Sequence, residues 1–140
     1  MENSFEEDLR RGQNVENDVL AKVRKKHPCA TLIKGKWKPY DLFIPETGQK
    51  IEIKADWKSN DTGNILIELE MFGKLSALMT TEADLWVVFT GKEYLWVKPS
   101  RIIECIIFNN IRSRELTGTG DSASKIACLI PIKTFKAYCL

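Results

Sequence analysis

The segment Tyr40 to Lys54 admits few folds. Tyr40 to Ile44 and Lys50 to Lys54 are short runs of strand character, and Glu46-Thr47-Gly48-Gln49 between them reads as a turn. An antiparallel hairpin is the expectation. In Lys50-Ile51-Glu52-Ile53-Lys54 the alternation is unbroken, so a period of two sends Glu52 and Lys54 to one face and Ile51 and Ile53 to the other. Asp41 lies between Tyr40 and Leu42 and shares its face with Phe43; antiparallel pairing brings it beside Glu52. Two carboxylates and an ammonium then converge. Taken alone, the E-x-K triplet most commonly marks a charged, solvent-facing strand.

The elements around this hairpin follow from periodicity. From Phe5 to about Lys26, the residues Phe5, Leu9, Val15, Val19, Leu20 and Val23 recur at helical spacing, and basic residues gather in the last turns, where they suit the helix dipole. His27-Pro28 ends that helix, because proline disfavours helical geometry in the residue before it. Ala30 to Ile33 and Ile65 to Glu70 have strand character, the second after a polar loop from Lys58 to Asn64. Leu85 to Phe89 and Glu93 to Val97 flank Thr90-Gly91-Lys92 as a second hairpin, and Pro99 to Phe108 reads as a helix. Arg112 to Ser124 is rich in Gly, Ser and Thr and reads as a mobile loop before a last strand at Ile126 to Ile130.

A length of 140 residues leaves room for one hydrophobic core, so residues 1–140 are expected to form a single domain. Hydrophobic residues at 44% and charged residues at 29% are the balance of a folded globular chain. The order of elements predicts an α/β or α+β fold, a sheet flanked by helices. No apolar run approaches the roughly 20 residues needed to cross a bilayer, and the acidic, polar start from Met1 to Arg11 is unlike a signal peptide, so a cytoplasmic protein is expected. Cys29, Cys105, Cys128 and Cys139 are scattered without a CxxC pair, which speaks against a zinc site and for buried free thiols.

The net charge of +2 is unevenly spread. Lys22, Lys25, Lys26, Lys34, Lys36 and Lys38, with Arg24 and His27 among them, occupy a stretch that contains no acidic residue. Such a segment can track a phosphate backbone, and it equally describes a solvated helix end and turn. Trp37 and Trp57 sit in polar, lysine-rich loops. There an indole can stack on an unpaired base or pack partly against the core. Thr80, Thr81 and Asp84 suit turn capping, with a DNA contact as the alternative.

Hard oxygen ligands such as Asp41 and Glu52 hold Mg²⁺ while leaving positions for a substrate phosphate, and Lys54 can hold the attacking water. Glu16 lies near the middle of the apolar arc of the first helix. A carboxylate there must pair, protonate or bind a cation, either a metal held by Asp41 and Glu52 or a base such as Lys54. Gly12, one turn earlier, leaves space for another backbone to approach. On the strand after the polar loop, Leu66, Glu68 and Glu70 share a face, so Glu68 is either a further acidic group near the site or part of a charged edge strand.

Gly12-Gln13-Asn14-Val15-Glu16 on the opening helix, then Tyr40-Asp41, then Glu52-Ile53-Lys54 resembles the PD-(D/E)xK nuclease superfamily, closest to archaeal-type Holliday junction resolvases and small phage nucleases. The resemblance spans Gly12 to about Glu70. It implies a restriction-endonuclease-like core with a central mixed sheet flanked by helices. It further implies Mg²⁺, with Mn²⁺ able to substitute, held by Asp41, Glu52, the Ile53 carbonyl and, directly or through water, Glu16. Lys54 would position the water. The implied activity is endonucleolytic cleavage of DNA, with branched duplexes such as Holliday junctions as substrate and a homodimer as the acting unit. Leu85 to Val97 or the helix near Ile102 to Phe108 would supply the dimer surface. Tyr40 stands where the family name has proline, and the Q-x-x-x-Y element of RecB-type members is absent after Lys54. A restriction-type or DNA-degrading phage nuclease would use the same residues. A silent nucleic-acid-binding module and a small structural domain are the alternatives from other classes.

Overall fold

The computed structural model describes residues 4–117 and 124–140. Along the chain run α1 (Ser4–Arg24), β1 (Thr31–Leu32), β2 (Leu42–Ile44), β3 (Gln49–Ala55), α2 (Lys58–Thr62), β4 (Asn64–Met71) and β5 (Lys74–Leu75). After a 3-10 turn at Ala77–Met79 come β6 (Leu85–Phe89), β7 (Tyr94–Val97), α3 (Pro99–Phe108), β8 (Ser113–Thr117), β9 (Ser124–Pro131) and α4 (Ile132–Lys136). The fold is mixed α/β, with a central five-stranded sheet in the order β1-β2-β3-β6-β7. Within it β3 and β6 run parallel and the other neighbours antiparallel. A second, antiparallel sheet has the order β5-β4-β9-β8.

The central sheet is covered on both faces. On one, α1 lays Val15, Val19 and Val23 over Leu42, Ile44, Ile51, Ile53, Leu85 and Val87. On the other, Trp86, Val88, Leu95 and Val97 meet Ile65, Ile67, Cys128 and Ile130 of the second sheet, together with Ile102 of α3 and Phe135 of α4. Strand β6 therefore alternates between two cores, Leu85 and Val87 toward the helix and Trp86 and Val88 toward the second sheet. Burial on both faces explains its continuous apolar sequence.

Several elements differ from the sequence expectation. The supposed loop from Lys58 contains α2, whose first turn is held by Asp56: its Oδ1 accepts the Ser59 amide at 3.2 Å. Gly63 ends that helix at φ 79°, a left-handed conformation in which glycine escapes the Cβ penalty. Part of the supposed loop after Arg112 is β8, a mostly exposed strand paired with β9; residues 118–123 of that stretch lie outside the described residues. Strand β4 is not an edge, because β9 pairs along it and β5 lies on its other side. A register shift between Glu68 and Glu70 leaves Leu69 as an extra residue and breaks the simple alternation there.

Gly12 has no neighbour within 4 Å of where a Cβ would stand, so no backbone approaches it. All four cysteines are free; Cys105 and Cys128 are buried as expected, Cys139 is partly buried, and Cys29 is exposed. Among the described residues no helix is long and apolar enough to cross a membrane.

A candidate active site between the two sheets

The predicted hairpin forms with the predicted faces. Strands β2 and β3 pair Leu42 with Ile51, Phe43 with Lys50 and Ile44 with Gln49, and Asp41 lies just before the paired residues. The Asp41 amide donates at 2.9 Å to the carbonyl of Ile51, the residue already paired with Leu42, so the regular register ends before Asp41. Ile51 and Ile53 are buried beneath α1, while Glu52 and Lys54 lie on the face toward the second sheet, in register with Trp86 and Val88.

Asp41 is buried, at 7% exposure. Its Oδ2 accepts the Ile53 amide at 2.7 Å, and its Oδ1 lies 3.3 Å from Lys38 Nζ. The same ammonium is 3.8 Å from Glu16 Oε2 and donates to the Ile33 carbonyl at 3.4 Å. Lys38 is thus the cation that makes Glu16 tolerable on the apolar side of α1, a role the sequence offered to a metal or to Lys54. Lys54 instead pairs with Glu52, Nζ to Oε2 at 3.3 Å.

Electrostatics joins these groups. Burial pushes the Glu52 carboxyl above its ordinary value; Lys54 opposes the rise and the Asp41 charge adds to it. Burial also pushes the Glu16 carboxyl up, against Lys38 and with a further push from Asp41. The Asp41 charge thus acts on both Glu16 and Glu52, and Lys38 and Lys54 offset part of the negative charge of the three carboxylates.

The cluster opens on a cleft of about 430 Å³, with Lys38, Glu52 and Lys54 on one wall and Glu68 and Thr80 among the residues opposite. An adjoining apolar recess of about 250 Å³ shares Lys54, Glu68 and Trp86 with it and runs between Ile65, Ile67 and Val88. Glu68 therefore faces the cleft from the second sheet, where its Oε2 accepts the Ser76 hydroxyl at 2.7 Å. Thr81 and Asp84 are bound structurally. Thr81 Oγ1 accepts the Trp86 indole N–H at 3.0 Å, and Asp84 Oδ2 accepts the Lys50 amide at 2.9 Å.

The basic residues divide. Lys38 belongs to the cluster; Lys34 and Lys36 are exposed on the loop that leads to it, and Lys25 is exposed beyond the end of α1. Lys22 and Lys26 line a separate cavity with Gln49, Leu85 and Trp96, and the Lys22 ammonium lies 4.9 Å over the Tyr94 ring. Trp57 is half-buried, under the Arg11 guanidinium at 4.2 Å and edge-on to Phe89 at 5.7 Å. Trp37, in contrast, is 95% exposed.

Among the described residues no three His, Cys, Asp or Glu side chains form a group that could hold a metal ion. Lys38 stands where a third carboxylate, Glu16, would meet Asp41 and a shared cation. What remains is the Asp41 and Glu52 pair beside the Ile53 main chain. Carboxylates are the hard oxygen donors that Mg²⁺ takes, but Asp41 Oδ1 is engaged by Lys38 and Oδ2 by the Ile53 amide, so an ion at Asp41 would have to displace Lys38. No family model, curated protein or solved structure matches the chain.

Proposed function

We propose that this chain is a Mg²⁺-dependent endodeoxyribonuclease of the PD-(D/E)xK type, with a restriction-endonuclease-like core, acting on branched DNA such as Holliday junctions. The observation that carries the reading is the tie of the Asp41 carboxylate to the Ile53 amide, which sets its charge beside Glu52, with Lys54 paired to Glu52 on the wall of an open cleft. A solvated charged strand does not account for a buried Asp41 coupled to two carboxyls that burial already pushes up.

In this reading Asp41, released from Lys38 at Oδ1, would hold the ion together with Glu52 and the Ile53 carbonyl, and Mn²⁺ would be able to replace it. When bound, Mg²⁺ polarises the phosphodiester and lowers the pKa of its water. Lys54 orients the attacking water and stabilises charge that grows on the phosphoryl oxygens. In the metal-free protein Lys38 keeps Asp41 and Glu16 in place, and it offers a second positive charge to the backbone. Glu16 is a positioning residue that acts through Lys38. Lys34 and Lys36 extend the positive path outward, whereas Lys22 and Lys26 flank it at a distance.

Symmetric cutting of a junction calls for two sites related by a two-fold axis, hence a homodimer. Of the two surfaces considered, Leu85 to Val97 is largely taken up by the cores, while α3 leaves Ile103, Ile107 and Phe108 exposed. The α3 face is the better dimer surface. A cytoplasmic location belongs to the same proposal.

Incubating the protein with a labelled four-way junction and a matched linear duplex, with Mg²⁺, Mn²⁺ or EDTA, tests the function. Metal-dependent cuts in the junction are expected. Cuts in the linear duplex at the same rate would favour a restriction-type or DNA-degrading nuclease. Binding without cleavage would leave a silent module, and neither would leave a structural domain.

A further inference from the structure

The loop between β1 and β2 is fixed at its base and bare at its tip. Thr31 pairs with Phe43 and Leu32 with Leu42, the Ile33 amide donates to the Asp41 carbonyl at 2.8 Å, and Lys38 donates to the Ile33 carbonyl. Beyond that base Lys34, Gly35, Lys36 and Trp37 are all exposed, and Gly35 turns the chain at φ 119°. Trp86 is buried and Trp57 and Trp96 are partly buried, so Trp37 is the one tryptophan whose ring the fold does not use. An indole is large enough that burial would normally stabilise the fold, and none is taken here.

Its setting indicates a partner. No other large exposed apolar residue belongs to this loop, so the ring is not part of an apolar docking patch. Lysines flank it at 34, 36 and 38, and no acidic residue lies between Lys22 and Tyr40. A bare aromatic face among cations matches a polyanion that carries π faces, which is a nucleic acid strand. Bases inside a duplex are stacked on one another and offer no free face, so the complementary substrate has unpaired bases. Adjacent Cα atoms are about 3.8 Å apart, and Lys38, the next residue, touches Asp41.

We propose that Trp37 is a stacking platform that selects DNA with unpaired bases a few nucleotides from the phosphodiester held at Asp41 and Glu52. The location of that phosphodiester rests on the nuclease reading; the stacking rests on the loop alone. The test is binding in EDTA, where no metal-dependent cleavage can occur, of fluorescein-labelled oligo-dT and of a blunt duplex of equal length, read by anisotropy. Trp37→Ala is expected to weaken oligo-dT binding about tenfold or more while duplex affinity changes less than twofold, and Trp37→Phe to retain most of it. A thermal melt matching the parent would show that the exposed ring had no part in folding. Equal losses on both DNAs, or no loss on oligo-dT, would overturn the proposal. So would quenching of tryptophan emission by polyglutamate instead of oligo-dT, which would assign the loop to an acidic protein. Stacking without Mg²⁺-dependent cleavage would remove the nuclease reading and leave Trp37 its role; cleavage without the Trp37 effect would do the reverse.

Discussion

The main-chain amide of Ile53 donates to Asp41 Oδ2 at 2.7 Å, so the buried carboxylate is tied to the strand that carries Glu52 and Lys54. Asp41→Ala strands that amide and removes a partner of Lys38. A loss of about 1–3 kcal/mol is expected, since a buried donor without an acceptor keeps its desolvation penalty. Asp41→Asn retains an acceptor and should lose less. Urea unfolding of both variants checks this, and an alanine variant as stable as the parent would remove the structural role of the bond.

Lys54→Ala should separate binding from turnover. The ammonium is asked to act on the water and on growing charge, so DNA and Mg²⁺ binding should stay near the parent while cleavage falls about 10² to 10³-fold. A gel assay at saturating Mg²⁺ resolves that difference. Cleavage at the parent rate would return the E-x-K triplet to a charged strand face.

Glu52 makes the metal-free protein sensitive to pH. Its carboxyl is raised from an ordinary 4.5, chiefly by burial, with Lys54 opposing and Asp41 adding. Between those two values the folded state holds more protons than the unfolded chain. The associated stability is therefore full below the ordinary value and is lost as pH rises through the raised one. In EDTA the urea midpoint of the parent should fall with rising pH across that window. Glu52→Gln should flatten the fall, leaving the part due to Glu16, which is shifted in the same direction.

The lysines should differ in how they feel salt. On duplex DNA each lost phosphate contact reduces the slope of log affinity against log salt by about 0.9. The pair Lys34→Ala and Lys36→Ala, on the loop beside the cluster, should flatten the slope more than Lys25→Ala with Lys26→Ala. Equal effects would place the DNA path along the end of α1.

Thiol labelling offers a check on packing. Burial pushes the Cys139 thiol up to about 11, and burial also raises Cys105 and Cys128. At pH 8 these three remain protonated and slow to react, whereas Cys29 is exposed. A disulfide exchange reagent should titrate one thiol quickly and the rest only on unfolding.

Local pattern carried the hairpin. The alternation from Lys50 to Lys54 fixed which residues face α1 and which face the cleft, and the helical arc placed Glu16 near the site. Lys38 was read as a phosphate lysine because its partners are a distant helix residue and a turn residue, a relation no single periodicity encodes. Its spacing of three from Asp41 was the available signal. Strand β8 escaped because Ser113-Arg114-Glu115-Leu116-Thr117 has almost no buried side; β9 makes it a strand. The division into two sheets was equally illegible, since Ile65 and Ile67 alternate identically whichever sheet they join.

The cleft has walls of unequal origin in time. Asp41 and Glu52 meet within one hairpin, a closure between near neighbours in the chain, whereas the wall bearing Glu68 exists only once β4 has found β9, far along the sequence. Non-local pairing must meet its loop-closure entropy before its contacts contribute. A refolding chain is therefore expected to close the hairpin that carries Asp41 and Glu52 before the second wall of the cleft forms, an order that stopped-flow refolding of variants in β3 and β9 would check.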